Sequence, residues 1–490
     1  MGFPMVVRSG ALLLLAVTVL ALPPLPAQEA KWDIESLARI VRPMRNPLGA
    51  RLPLLLWNFP LPRDDSLAKL RDSGELRKAL ALMSQRGVLP TVEMGWEWTP
   101  AGALAMGRTL QDAGAAVNIL IPQADMLEAA VYKDCTVWGE GPDATRKNEK
   151  RKWPCLPLAN SRAGAEEVRK RLMPFKEAGI SAAGVWFDDE CLPHPWNGCY
   201  ESQRDSALCK PHYPAGVLDN FGRFNEYVYG LRSKLLAEVL ADPVRDLFPK
   251  ALVGNYGEFA SSKEIPFEGL RPPRALDKLV LMPAAYANTV DLPRHFKKDN
   301  EPVTQERADR FYFRSLLFTV STCNANKRAG QLSMPYLSRY CPDNPDPRFL
   351  FGMTSQVFRE LARHVWMRGA DGVYVFNLGY PTKPQLVTPA ASFESIEDIR
   401  AALDELLDQR EFLEKGQPMN FAVPELSKSA EMTVWSGLRL GERCLIRVFT
   451  FAAQPAAVEI EAFPGQKAKL EAPPQGATYL VAKGEAPKRL

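Results

Sequence analysis

Apolar residues recur along this chain in two rhythms. From about residue 50, short runs rich in Leu, Val, Ile and aromatic residues alternate with longer stretches whose apolar positions return every three or four residues. The short runs predict strands over 52–59, 88–96, 116–122, 181–188, 251–257, 278–286, 332–338 and 371–378. Between them, Phe221, Phe224, Val228, Leu231, Leu235 and Val239 form the stripe of a helix lying on a sheet. Ser395-Ile396-Glu397-Asp398 has the capping-box spacing just ahead of Ile399, Leu403, Leu406 and Leu407, which predicts a helix starting there.

Strands alternating with helices in this number favour an α/β fold, a (β/α)8 TIM-type barrel, over an open doubly wound sheet. No Gly-x-Gly-x-x-Gly or phosphate-loop pattern follows the first strand, so dinucleotide binding is disfavoured and no cofactor is implied. Past residue 416 the rhythm shortens to alternation. Runs at 431–440, 443–451, 455–462 and 477–483 with no helix between them predict a small C-terminal β-sandwich.

The N-terminus adds a third segment. Arg8 precedes an apolar run from Ala11 to Leu22, and Leu25-Pro26-Ala27 follows before the polar Gln28-Glu29. A spanning helix needs roughly 20 apolar residues, so this shorter run reads as a secretory signal cleaved near Ala27, with an uncleaved anchor as the alternative. The expected organisation is therefore a signal peptide over 1–27, a barrel over 28–416 and a sandwich over 417–490. The chain is expected in a secreted or periplasmic location, with no stable membrane insertion after cleavage. A net charge of +4 over 490 residues makes no case for a nucleic-acid partner, which requires dense Lys/Arg stripes.

Candidate chemistry concentrates at the end of the fourth strand. In Gly184-Val185-Trp186-Phe187-Asp188-Asp189-Glu190 an apolar run stops in three acids, and barrel sites gather at the carboxyl ends of strands. Alternation places Asp188 and Glu190 on one face, about 6.6 Å apart at roughly 3.3 Å per residue. Carboxylates so close resist double ionisation and hold a proton between them. The alternative is that these acids cap the next helix or pair with Arg and Lys on the rim. Tyr256 with Glu258 on strand five, and Tyr286 ending Pro283-Ala284-Ala285-Tyr286, offer hydroxyls and rings to a sugar, or else plug the barrel mouth. On strand two, Glu93, Trp96, Glu97 and Trp98 read as a sugar subsite, with burial against the next helix as the alternative for either Trp.

The order of these landmarks resembles the hyaluronidase family of barrel glycoside hydrolases, as a distant relative. The resemblance covers roughly residues 180–380. It runs through Asp188-Asp189-Glu190, then Phe248-Pro249-Lys250 with Asn255-Tyr256-Gly257, then Pro283 to Tyr286, and last Gly369-Ala370-Asp371-Gly372-Val373. It implies that Glu190 is the general acid, that Asp188 orients the substrate's own acetamido nucleophile, and that Tyr256 and Tyr286 surround that group. Where the family closes its sugar subsite with a Trp, this chain reads Val375-Phe376-Asn377, which makes Asn377 the residue at that place. Cys191-Leu192 stands where the family has a Trp after the acids.

Two other readings stay open. Glu190 and Glu258 suit a two-carboxylate glycosidase, retaining at about 5–5.5 Å separation and inverting at about 6.5–9.5 Å. A non-catalytic carbohydrate-binding barrel uses the same rings and no acid. Cys191-Leu192-Pro193-His194 and Cys209-Lys210-Pro211-His212 have ligand types for a structural zinc (Cys191, His194, Cys209, His212). An exported chain favours instead a disulfide such as Cys191 or Cys199 with Cys209. The basic run Arg146 to Lys152 reads as a solvated loop.

Overall fold

Short, wholly apolar runs pair as parallel strands when helices cover them, because neither face then meets water. The computed structural model describes residues 33–49, 51–57, 69, 71–94, 100–122, 130–132, 136–140, 150–188, 197–207, 209–256, 278–289, 291–296, 302–341, 346–376, 388–424 and 432–490. Its barrel strands are, in order, Leu54–Leu56, Val88–Pro90 continuing as Val92–Glu93, Val117–Pro122, Ala182–Asp188, Leu252–Asn255, Ala284–Asn288, Tyr336–Cys341 and Val373–Val375.

Every seam between neighbours is joined. Strand one pairs in parallel with strand two at Leu54↔Val88 and with strand eight at Leu54↔Val373. Strands two to five follow at Val92↔Ile119, Ile119↔Val185 and Val185↔Val253. Bridges at Gly254↔Val280 and Leu281↔Ser333 carry the sheet across strand six, and Tyr336 pairs with Ala284 on one side and Tyr374 on the other. The sheet therefore closes on itself as a (β/α)8 barrel, the fold the alternation predicts.

The helix over Phe221–Leu235 runs on through a π turn, Leu236–Ala241, into Asp242–Leu247. Its predicted stripe is buried at Phe224, Val228, Leu235 and Val239. The helix expected from residue 395 begins earlier. Thr388 caps Pro389–Leu406 by accepting from Ala391 N, while Ser395 is interior and its Oγ accepts from Arg339 N at 3.2 Å. Part of the basic run is also a strand: Lys150–Pro154 pairs antiparallel with Thr136–Glu140.

After Lys415 the chain enters an antiparallel sheet ordered 417–418, 433–440, 443–450, 477–482 and 488–489. The hairpin Ala456–Phe463 with Gln466–Ala472 covers one face as the second layer of the sandwich. Gln466–Ala472 (QKAKLEA) was not foreseen as a strand, because its inward positions are Ala468, Leu470 and Ala472 and its outward ones are charged. The other face of the sheet, through Val434, Leu438, Leu445 and Phe449, joins the barrel's own core.

A buried polar network ties the two parts together. Glu360, on helix Ser355–Met367, receives two hydrogen bonds from Arg447 at 2.7 and 2.6 Å and one from Arg363 at 2.7 Å. One turn on, His364 Nδ1 lies 2.8 Å from Ser436 Oγ, which also accepts from Arg368 Nε at 2.8 Å. Arg368 further donates to Ser321 Oγ at 2.6 Å and to the Trp435 carbonyl at 3.1 Å. Burial lowers the Arg368 guanidinium to about 9, so it stays charged at neutral pH. With its charges satisfied by partners on both sides, the sandwich is braced against the barrel wall.

Candidate active site

Inward-facing side chains of the barrel stack in layers contributed by alternate strands. Following the strand register upward, the lowest fully aromatic-containing layer holds Thr91, Trp186, Met282 and Tyr374. Above it lie Trp57, Leu120, Tyr256 and Tyr336, and above those Glu93, Asp188, Ala284 and Phe376. Ring contacts agree with this stacking. Tyr336 meets Tyr256 at 5.1 Å and Trp57 at 5.7 Å within its layer, and Trp186 meets Tyr374 at 6.1 Å in the layer below.

Two glycines make room for Trp186. A Cβ on Gly184 would lie 2.6 Å from the indole Cζ2 and 2.7 Å from Asn118 Oδ1, and one on Gly254 would lie 3.0 Å from the same ring. The indole Nε1 donates to Asn118 Oδ1 at 3.2 Å. This buried platform sets the height at which Asp188, the next inward residue on strand four, emerges.

Asp188, Tyr286 and Phe376 are part-exposed, whereas Trp57, Tyr256, Tyr336 and Tyr374 are buried beneath them. Among the described residues, the part-exposed groups of this cluster are thus one carboxyl, one phenol and one phenyl ring. Tyr286 stacks on Phe376 at 4.4 Å, and its hydroxyl shares a hydrogen bond with that of Tyr256. Burial, then the neighbouring Tyr374 and the negative charge of Asp188, push the Tyr336 hydroxyl well above its ordinary value. Tyr374 is raised in the same way, first by burial and then, with the nearby Thr91 hydroxyl acting against them, by the charges of Glu93 and Asp188. Both phenols therefore stay protonated and present O–H groups, not phenolates, to the carboxyls above.

The structure brings Asp188, Tyr256 and Tyr286 into one cluster at the carboxyl ends of strands four to six. Of the other residues singled out in the sequence, Glu190, Glu258, Trp96, Asn377, Cys191 and His194 lie outside the described residues, as does the segment 1–27. Cys209 is buried and carries a free thiol, so the expected disulfide to Cys191 or Cys199 is not formed. His212 is exposed while Cys209 is not, and no group of three or more metal-ligating side chains occurs among the described residues.

Sequence reasoning missed the site's buried half. Glu93, a sugar-subsite candidate on strand two, does face inward but is only 3% exposed. Trp57, Tyr336 and Tyr374 read as ordinary apolar strand positions. The available signal was the step of two from Leu89 through Thr91 to Glu93, which puts the acid on the same face as a core leucine.

No protein-family model matches the sequence, and no curated protein does. Among solved structures, the chain is similar to an isomaltulose synthase from Erwinia rhapontici NX5, with 12% identity, 84% of this chain and 91% of that chain covered, and a TM-score of 0.41. It is also similar to an alpha-amylase from Lactobacillus plantarum, with 12% identity, coverages of 80% and 84%, and a TM-score of 0.38. A third is alpha-L-fucosidase isoenzyme 2 from Paenibacillus thiaminolyticus, with 12% identity and a TM-score of 0.35; 72% of this chain aligns with 47% of that one. The assignment of the barrel rests on the closed strand pairing itself.

Proposed function

We propose that this chain is an exported glycoside hydrolase that cleaves a polysaccharide or other glycan, with Glu190 as general acid and Asp188 assisting it. The observation that carries this reading is Asp188: part-exposed at the carboxyl end of strand four, in the top layer of the barrel, beside the part-exposed rings of Tyr286 and Phe376. Rings of that kind cover the apolar face of a pyranose, and a carboxyl beside them faces the bond to be broken.

In this reading Glu190 protonates the leaving glycosidic oxygen. Asp188, above two phenols that keep their protons, remains the charged partner of the positive centre that develops at the anomeric carbon. Where the sugar bears an acetamido group, its carbonyl oxygen attacks that carbon and Asp188 holds the amide N–H. Tyr286 reaches the sugar from the side, and Tyr256, hydrogen-bonded to it from below, fixes its hydroxyl. A segment of signal-peptide type at 1–27 would deliver the enzyme to an extracytoplasmic compartment, where such polymers occur.

The experiment is release of reducing ends from a panel of polysaccharides by wild type and by Asp188→Asn, Glu190→Gln and Glu258→Gln. General acid–base groups contribute roughly 10²- to 10⁴-fold, so the first two variants should lose that much turnover while binding glycan. Wild-type rates in both defeat the assignment. Loss in Glu258→Gln as well selects the two-carboxylate mechanism, and binding without any release selects a non-catalytic carbohydrate-binding protein.

A further inference from the structure

We propose that Glu93 is the second carboxylate of this site, set beside Asp188 so that the two acids titrate as one coupled pair. The proposal deepens the glycosidase reading and takes its purpose from it, but its test needs no substrate.

Strand register brings the two acids together. Moving round the barrel by two strands advances an inward position by two residues relative to the hydrogen-bonded ladder, the consequence of strand tilt. Tyr374 calibrates the step: it registers through Leu55 with Leu89, yet its ring belongs with Thr91, two residues further on, which approaches its hydroxyl. Glu93 registers through Leu120 with Trp186. The same advance of two lands on Asp188. Strands two and four thus place their carboxyls at adjacent corners of one layer, whose other corners are Ala284 and Phe376.

A second observation points into the same space. The Tyr336 hydroxyl is fully buried with no hydrogen-bond partner among the described residues, one layer beneath the pair, and the charge of Asp188 reaches it. The described titratable groups that face the two acids are Tyr256, Tyr286, Tyr336 and Tyr374, on strands five to eight. Two carboxyls at adjacent corners of one layer each raise the other's proton affinity, so their titrations belong to the pair.

The test is carbon NMR of the full chain labelled with carbon-13 at the aspartate side-chain carboxyl, titrated from about pH 3 to about pH 8. The Asp188 signal is identified by its loss in Asp188→Asn. In Glu93→Gln its midpoint should fall by about one pH unit or more, and Glu93→Asp should restore the higher value. The reciprocal arm labels glutamate and follows Glu93, whose midpoint should fall in Asp188→Asn; this arm serves if Glu93→Gln does not fold. Unmoved midpoints in folded variants overturn the pair. If Asp188→Asn abolishes hydrolysis while the midpoints stay put, the glycosidase reading survives and the pair does not. A moved midpoint in a protein that hydrolyses no glycan leaves the pair and removes the glycosidase reading.

Discussion

Glu360→Gln should detach the sandwich from the barrel in energetic terms while leaving shape and volume almost unchanged. The wild-type carboxylate is 2% exposed and holds Arg447 through two hydrogen bonds. Burial alone would raise its proton affinity, but the His364 contact at 3.4 Å and the bonds and charge of Arg447 hold it well below the usual carboxylate range. Replacing it strands the Arg447 charge in a buried site, a change that costs roughly 3–5 kcal/mol. If barrel and sandwich melt together, roughly 450 residues at about 2.1 cal/mol/K each turn a loss of about 4 kcal/mol into a Tm drop of only about 4 °C. If the roughly 75 residues of the sandwich melt alone, the same loss is spread over a roughly sixfold smaller entropy and lowers that transition by tens of degrees. Calorimetry distinguishes the two, and the network across the interface favours the single transition. Acid adds a second check. The Glu360 contribution is complete above its unfolded value near 4.5 and declines as pH falls below it, because the unfolded chain then takes up a proton that the native carboxylate refuses. His364, lowered by burial to about 4, acts in the same direction between about 6.5 and 4, where only the unfolded chain binds its proton. The gap between wild type and Glu360→Gln should therefore shrink below about pH 4.5. A gap that is absent at pH 7, or that widens in acid, refutes the reasoning.

Two further outcomes follow from the barrel interior. Gly184→Ala forces a methyl group against Trp186 and Asn118 and should destabilise by roughly 1–3 kcal/mol, read as a lower urea midpoint at unchanged slope; an unchanged midpoint means that the indole is not wedged as described. In an ultraviolet alkaline titration, Tyr336 and Tyr374 should ionise only as far-ultraviolet circular dichroism reports unfolding, since burial leads the causes that raise both; phenolate formation at either residue in a folded protein, assigned by difference against Tyr336→Phe and Tyr374→Phe, counts against their burial.

The barrel was legible in the sequence because its strands are covered on both sides, so each stands out as an apolar run between helical stripes. Asp188 and Tyr286 were legible for a related reason: a polar residue that ends such a run stands at the rim, whichever way the barrel closes. Glu93 was not, because what brings it beside Asp188 is the tilt of the strands, and the string from Val88 to Trp96 carries no mark of the register with strand four. Glu360 is the same problem on the outside of the barrel. Within its own helix it reads as a surface acid at i−3 from Arg363, and it becomes a buried one only because Arg447 arrives from the other part of the chain. Pairings within one run of sequence can be read from that run, whereas the hidden acids each depend on a partner more than eighty residues away. A carboxylate retained among core residues at such a place must be compensated by something distant, and its partner is found by following the register, as the step from Leu120 through Trp186 to Asp188 does here.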